Sequence, residues 1–254
     1  MLLTIDVGNT NISFGVFKGE ELISNFNMTT KNKLTTDELG VNMLVMLKTL
    51  NVDVENINNI VVSSVVPPIM HALLNALRRY FKIEPLIVGP GIKTGVSILC
   101  ENAKEVGADR IVNVAAAIEI YKRECIVIDF GTATTFDHVN DNGQFAYTII
   151  MPGLVISRDA LSTNTAKLPK TELIKPDTIL TRNTVSGIQA GLIYGYIGSI
   201  NYIVDEMCKA LNSKPYIVAT GGLGRMFARE CNRIDEYNPH LAFIGMKTIF
   251  EKNK

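Results

Sequence analysis

The opening stretch sets its apolar residues two apart. Ile12-Ser13-Phe14-Gly15-Val16 alternates like a half-buried strand. Leu2-Leu3-Thr4-Ile5 precedes it and Lys18-Gly19-Glu20 supplies a turn, so residues 2–28 read as a three-stranded meander. The period then changes. Thr35-x-x-Glu38 is a capping box that opens a helix through Leu50, with Leu39, Met43, Met46 and Leu47 on one face. Ile60 to Val66 reads as a buried strand stopped by Pro67-Pro68. A helix to about Phe81 and a strand from Pro85 to Val88 follow. A further helical run covers Ile111–Ile120 after a turn at Gly107.

The later pattern resembles the earlier one. A strand ends at Phe130, a second returns through Val139, and Asn140-Asp141-Asn142-Gly143 predicts a hairpin leading to a strand through Ile150. Helices are expected around Leu154–Leu161, from Thr184 or Val185 to about Leu211, and at Leu241–Lys252, where the last one closes the second domain. Residues 163–177 read as a surface loop and Tyr216–Ala219 as a last buried strand. Gly187, Gly191, Gly195 and Gly198 fall on one side of the long helix. They predict a close helix–helix crossing, with a subunit interface as one setting. Strands alternating with helices make this an α/β protein.

One pattern occurs twice: Ile5-Asp6-Val7-Gly8-Asn9-Thr10-Asn11 and Ile128-Asp129-Phe130-Gly131-Thr132-Ala133-Thr134. Each is a strand, an Asp, a Gly turn and a returning strand. The repeat divides the chain into halves at 1–118 and 119–254. Facing copies would put two carboxylates and two sets of turn amides around one cleft, a setting for a metal-bound polyphosphate. Backbone N–H groups of the turn, helped by Asn9, Thr10, Asn11 and Ser13, can hold phosphate oxygens. Asp6 can hold Mg²⁺ or its waters, because hard cations take oxygen ligands. The bland alternative for either copy is a tight turn capped by Asp. Two copies, with Thr220-Gly221-Gly222 after a late strand, favour the phosphate reading.

Composition narrows the partners. The 254 residues carry 47% hydrophobic and 20% charged side chains, which suits a globular chain with a sizeable core. Lys plus Arg and Asp plus Glu balance at 25 each, so no nucleic-acid or membrane-surface partner is expected. Cys100, Cys125, Cys208 and Cys231 are scattered without metal-ligand spacing and read as free thiols in a reducing cytosol. Asp6 interrupts the only candidate leader and no apolar run approaches the ~20 residues of a span, so a cytoplasmic location is expected. Gly89 to Gly95 lacks the order of a phosphate loop and reads as a turn-rich connection. Asp109 falls near a helix N-terminus, where a capping role and a catalytic one are both open. His71, His138 and His240 lie outside these motifs.

The arrangement resembles the superfamily of acetate kinases, sugar kinases, heat-shock 70 proteins and actin, built from two ribonuclease-H-like domains. Within it the chain resembles type III pantothenate kinases. The matching stretches are Asp6–Asn11, Glu105–Asn113, Asp129–Thr134, Pro152-Gly153 with Ser157 and Ala160-Leu161, Thr165-Ala166 with Leu168-Pro169, and Thr220–Gly222. The resemblance implies ATP-dependent phosphorylation of pantothenate at the start of coenzyme A synthesis, by a homodimer. It assigns Asp6, Val7, Gly8, Asn9, Thr10, Asn11, Ile12 and Ser13 to the ATP phosphates, with a contact from Thr132. It gives Asp129 a monovalent cation, K⁺ or NH₄⁺. Gly107, Ala108, Asp109 and Arg110 would hold pantothenate, with Asp109 as the base, and Thr184 would contact pantothenate across the dimer. Two stretches depart from the family. Cys100-Glu101-Asn102-Ala103 stands where a Tyr and a Pro are usual, and Tyr147-Thr148 stands for a Gly-Gly. Another small-molecule kinase or phosphatase of the superfamily, or a non-catalytic regulatory factor, are the alternative functions.

Overall fold

The computed structural model describes residues 1–31 and 33–254. Along the chain run β1 (Leu2–Val7), β2 (Asn11–Lys18), β3 (Glu21–Thr29), α1 (Thr36–Thr49), β4 (Asn59–Ser64), α2 (Pro67–Ala76), β5 (Leu86–Ile87), β6 (Ser97–Ile98) and α3 (Ala108–Tyr121). Then come β7 (Cys125–Phe130), β8 (Ala133–Val139), β9 (Gln144–Pro152), α4 (Leu154–Thr163), α5 (Thr184–Leu211), β10 (Tyr216–Thr220), α6 (Gly224–Glu230), β11 (Glu236–Tyr237) and α7 (Leu241–Glu251). The chain divides into two compact units, residues 1–120 with 240–254, and residues 121–239.

In the first unit the strand order is β3-β2-β1-β4-β5. β1 pairs antiparallel with β2 and parallel with β4. Alternation sorts the side chains of β1 onto two faces. Leu3, Ile5 and Val7 join Phe14, Ile60 and Val62 beneath α1 and α2, where Leu39, Met43, Leu47, Ile69 and Leu73 are buried. Leu2 faces the other way, in a cluster with Phe17, Val61, Val112 and Ala115 of α3, and Phe243, Met246 and Ile249 of α7. Asp6 is on that second face, two and four residues beyond Thr4 and Leu2. The capping box forms as expected: Glu38 N–H donates to the Thr35 hydroxyl and Thr35 N–H to the Glu38 carboxylate, at 3.2 and 2.8 Å.

The position of α7 differs from the division at 118/119, which put the closing helix in the second half. The second face of β1 and β4 offers Leu2 and Val61, and α3 shares the cover of that face with the apolar side of α7. Lys247 of α7, also buried, is held by Glu20 at 2.8 Å and Glu251 at 2.6 Å.

The second unit repeats the plan. Its strands run β11-β10-β7-β8-β9, with β7 antiparallel to β8 and parallel to β10. Ile126, Ile128, Phe130 and Phe136 pack against Ile193, Tyr196, Ile200 and Val204 of α5 and Phe227 of α6. The short α6 and β11 go beyond the elements legible in the sequence. The glycine stripe on α5 meets no helix of its own chain. Gly191, Gly195 and Gly198 are exposed, and among the described residues a Cβ at any of them would have nothing within 4 Å. Among the described residues no helix crosses the stripe, because the other side of α5 carries the large residues that cover the sheet. That leaves the subunit interface as the setting for the expected crossing.

Among the described residues, no helix is long and apolar enough to cross a membrane.

Candidate functional site

The duplication seen in sequence is a duplication in register. Asp6 pairs with Ser13 on β2 and with Ser63 on the parallel strand β4. Asp129 pairs with Thr135 on β8 and with Thr220 on the parallel strand β10. Each aspartate thus stands one residue before the end of a central strand, flanked on both sides by a hydroxyl residue. Each unit builds one such end.

In the first unit the turn after β1 is closed by its own backbone, Gly8 N–H donating to the Asn11 carbonyl at 3.0 Å. Thr30, beyond the end of β3, ties it from the side. Its hydroxyl donates to the Gly8 carbonyl at 2.7 Å and its N–H to the Thr10 carbonyl at 2.9 Å. Asn9, Thr10 and Asn11 are exposed and Ser13 is half-buried, whereas Val7 and Ile12 are buried in the core. Of the assigned ATP-phosphate residues, those two can offer only backbone groups. Ser63 is fully buried and its hydroxyl has no hydrogen-bond partner among the described residues. Neither Thr30 nor Ser63 was singled out from sequence; only register and turn closure reveal them.

Asp109 enters from α3, in the first turn. Its Oδ1 accepts from the Arg110 N–H at 2.8 Å, while the N–H groups of Arg110 and Ile111 both reach the Gly107 carbonyl at 3.2 Å. Carboxylates are favoured at a helix N-terminus, where N–H groups are left over. Gly107 is glycine for a steric reason: a Cβ there would overlap the Asp109 carboxylate and come within 3.2 Å of Val65 Cγ1. Val65 has a second contact, its N–H donating to the Val7 carbonyl at 3.1 Å. One residue therefore touches both the end of β1 and the turn carrying Asp109. The Asp6 hairpin and the Gly107–Arg110 turn lie at the same end of one sheet.

The second unit fixes its turn by different means. Gly153 N–H donates to the Thr132 carbonyl at 3.1 Å, so the Pro152-Gly153 corner backs the exposed Gly131-Thr132 turn. Tyr196 of α5 hydrogen-bonds the buried Thr134 hydroxyl and reaches the Pro152 carbonyl at 3.5 Å; burial raises its phenol pKa. Gly221 has φ +86°, and a Cβ on it would lie 2.5 Å from Asp129 Oδ1 and 2.7 Å from the Phe130 nitrogen. The glycine turn after β10 is thus laid directly on Asp129. Tyr237 holds it there, its hydroxyl donating to the Gly221 carbonyl at 3.2 Å. Thr184 stands exposed at the start of α5, whose cap is Asn183.

The remaining candidates fall outside these ends. Lys93, in the glycine-rich 89–95 stretch, is pinned by Asn253, which accepts from its N–H at 3.1 Å and donates to its carbonyl at 2.9 Å. His71 contacts Asn75, His138 pairs with Glu124 at 2.9 Å, and His240 stacks on Phe243. Among the described residues no group of three or more His, Cys, Asp or Glu could hold a metal. A Mg²⁺ ion fits only by the route it commonly takes, one carboxylate together with nucleotide phosphates and water. Asp6, beside Ser13 and the unpartnered hydroxyl of Ser63, has the hard-oxygen character this needs.

Comparison with solved structures shows the fold. A protein described as a Baf family transcriptional activator from Campylobacter jejuni aligns over 99% of this chain and 98% of its own, at 20% identity and TM-score 0.60. The activator of 2-hydroxyisocaproyl-CoA dehydratase from Clostridium difficile, solved with ADPNP, aligns over 99% and 95% at 11% identity and TM-score 0.53. MreB 5 of Spiroplasma citri, bound to AMPPNP, aligns over 99% and 96% at 12% identity and TM-score 0.53. These proteins share the α/β fold of this chain, with mixed sheets flanked by helices. The family profile for type III pantothenate kinase matches residues 2–206. That span takes in the Asp6 and Asp129 strand ends and the Asp109 turn, and the chain belongs to the type III pantothenate kinase family, an ATP-dependent kinase that phosphorylates pantothenate in coenzyme A biosynthesis.

Proposed function

We propose that Asp109 is the base of this reaction and that Asp6 serves the nucleotide end. The observation carrying this reading is the double contact of Val65, which brings the Asp109 turn to the strand end that bears Asp6. Pantothenate lies along Gly107, Ala108, Asp109 and Arg110. The Asp109 carboxylate accepts the proton of its primary hydroxyl as that oxygen bonds to the γ-phosphorus and ADP departs. Phosphoryl transfer asks the protein mainly for position and charge, so a carboxylate suffices when it is aimed at the hydroxyl. Cys100 and Ala103 stand in place of the family's Tyr and Pro, which removes an aromatic hydroxyl near the substrate.

The phosphates are held by the amides and side chains of the Gly8–Ser13 hairpin, with Thr132 adding a contact. Asp6 would hold Mg²⁺ through its waters, and the ion would neutralise charge on the triphosphate. Asp129 holds K⁺ or NH₄⁺, supported by the oxygen-rich register of Thr135 and Thr220 on either side of it. The exposed glycine face of α5 and the exposed Thr184 support a homodimer in which the partner comes close to that helix. Four free cysteines suit a reducing cytoplasm.

The test is a coupled ADP-release assay with pantothenate, run with and without K⁺ and repeated with Asp129→Asn. ADP formation that depends on pantothenate and K⁺, with the K⁺ response lost in the variant, supports the assignment. An unchanged K⁺ response in Asp129→Asn removes Asp129 from the cation site.

A further inference from the structure

The second unit has a cavity that the kinase reaction does not use. It measures about 500 Å³ and is lined by Arg123, Cys208, Lys214, Tyr216, Arg233 and Asp235 among others. It lies where β7 and β10 begin, since Tyr216 pairs with Cys125 at the first residue of each strand. Asp129 pairs with Thr220 at the other end. Four residues of extended chain separate the two ends, roughly 13 Å at the rise of a strand.

The charges on the wall are unequal in their pairing. Arg233 is committed, its Nε 2.8 Å from Asp205 and its terminal nitrogen 3.6 Å from the Cys208 sulfur. Asp235 is committed as well, accepting the Ile217 N–H at 2.7 Å. Arg123 and Lys214 have no carboxylate within ion-pair distance among the described residues. The Arg123 guanidinium is nevertheless placed, 5.1 Å from the centre of the Tyr216 ring, so part of its ordering cost is already met by stacking. Two cations left over in the lining of one cavity, in a chain of zero formal charge, make a local anion site.

We propose that this cavity binds a phosphate-bearing small molecule between Arg123 and Lys214. A dianion with several acceptor oxygens can satisfy a guanidinium and an ammonium together, which a single carboxylate does less well. The volume lies in the range of ligand pockets and leaves room for an organic portion beyond the phosphate. Cys208 reports on occupancy from the wall itself. Cys125 and Cys231 are buried, and Cys100 lies in the other unit, so its labelling is resolved separately.

The experiment alkylates the full chain with iodoacetamide, with and without inorganic pyrophosphate as the probe, and follows each cysteine by peptide mass spectrometry. At a probe concentration several times its Kd, labelling of Cys208 is expected to slow about fivefold. The protection is expected to vanish in Arg123→Gln/Lys214→Gln. Labelling of Cys208 that ignores pyrophosphate, or protection that survives in the double variant, overturns the proposal. Calorimetric titration of the same two proteins covers a thiol too slow to label. Pyrophosphate held at the nucleotide end contributes equally to both, so one site fewer in the variant supports the proposal and equal stoichiometry overturns it.

Discussion

Adjacent glycines in the turn after β10 make a matched pair of perturbations. At Gly221 the φ of +86° lies in the region that L-residues rarely enter, and an alanine Cβ would meet Asp129 Oδ1 at 2.5 Å and the Phe130 nitrogen and carbonyl carbon at 2.7 and 2.8 Å. The left-handed backbone alone costs about 1–2 kcal/mol for a residue with a Cβ. Crowding against backbone atoms of β7, which cannot rotate away, adds about 1–3 kcal/mol more. Gly221→Ala is therefore expected to lose about 2–4 kcal/mol, at the upper end of single-substitution effects. Gly222→Ala has nothing within 4 Å of the added methyl and no positive φ, so its change is expected to be near zero or slightly stabilising. Urea unfolding followed by far-ultraviolet circular dichroism measures both. The K⁺ dependence of ADP release then reports whether the displaced Asp129 carboxylate has lost its cation. Midpoints for the two variants that agree within error would refute the claim that the turn rests on Asp129.

Other outcomes follow from the same geometry. Asp109→Asn is expected to lower kcat by about 10²–10⁴-fold while ATP and pantothenate binding stay within a few-fold, as judged by single-turnover kinetics and calorimetry. Wild-type turnover in that variant would remove Asp109 as the base. Thr30→Val deletes the hydroxyl that donates to the Gly8 carbonyl at 2.7 Å. It should cost about 1 kcal/mol and raise the KM for ATP more than that for pantothenate; equal changes in both would separate Thr30 from the nucleotide turn. Burial pushes the Cys125 and Cys231 thiols up to about 12, from the 9.0 at which the exposed thiol ionises. Protons are then held more tightly in the folded chain, so this contribution to stability is complete below pH 9 and falls as pH rises from there toward about 12. Urea midpoints measured from pH 7 to 10 should decline at the alkaline end, and iodoacetamide at pH 8.5 should leave both thiols unlabelled until the chain unfolds.

The sequence alone determined what depends on neighbours along the chain. Alternation set the strands of both meanders, the Thr35/Glu38 pair set the start of α1, and Asn140 set the second hairpin, its Oδ1 accepting the N–H groups of Asn142 and Gln144 at 3.0 Å. The repeated Asp-x-Gly pattern marked both strand ends, because a carboxylate followed by a turn glycine is legible within a few residues. Tertiary structure decided the rest. Thr30 closes a turn 22 residues away, and Val65 connects β1 to a turn beyond position 100; neither has a local signature that would distinguish it from an ordinary Thr or Val. The assignment of α7 to the first unit followed from its packing with Leu2, Phe17 and Val61 on the second face of the first sheet, which periodicity within the helix cannot reveal. The glycines of α5 were visible as a stripe, yet only packing showed that the stripe faces outward. Short-range pattern states which side of an element is apolar; which surface covers that side is settled by the chain as a whole.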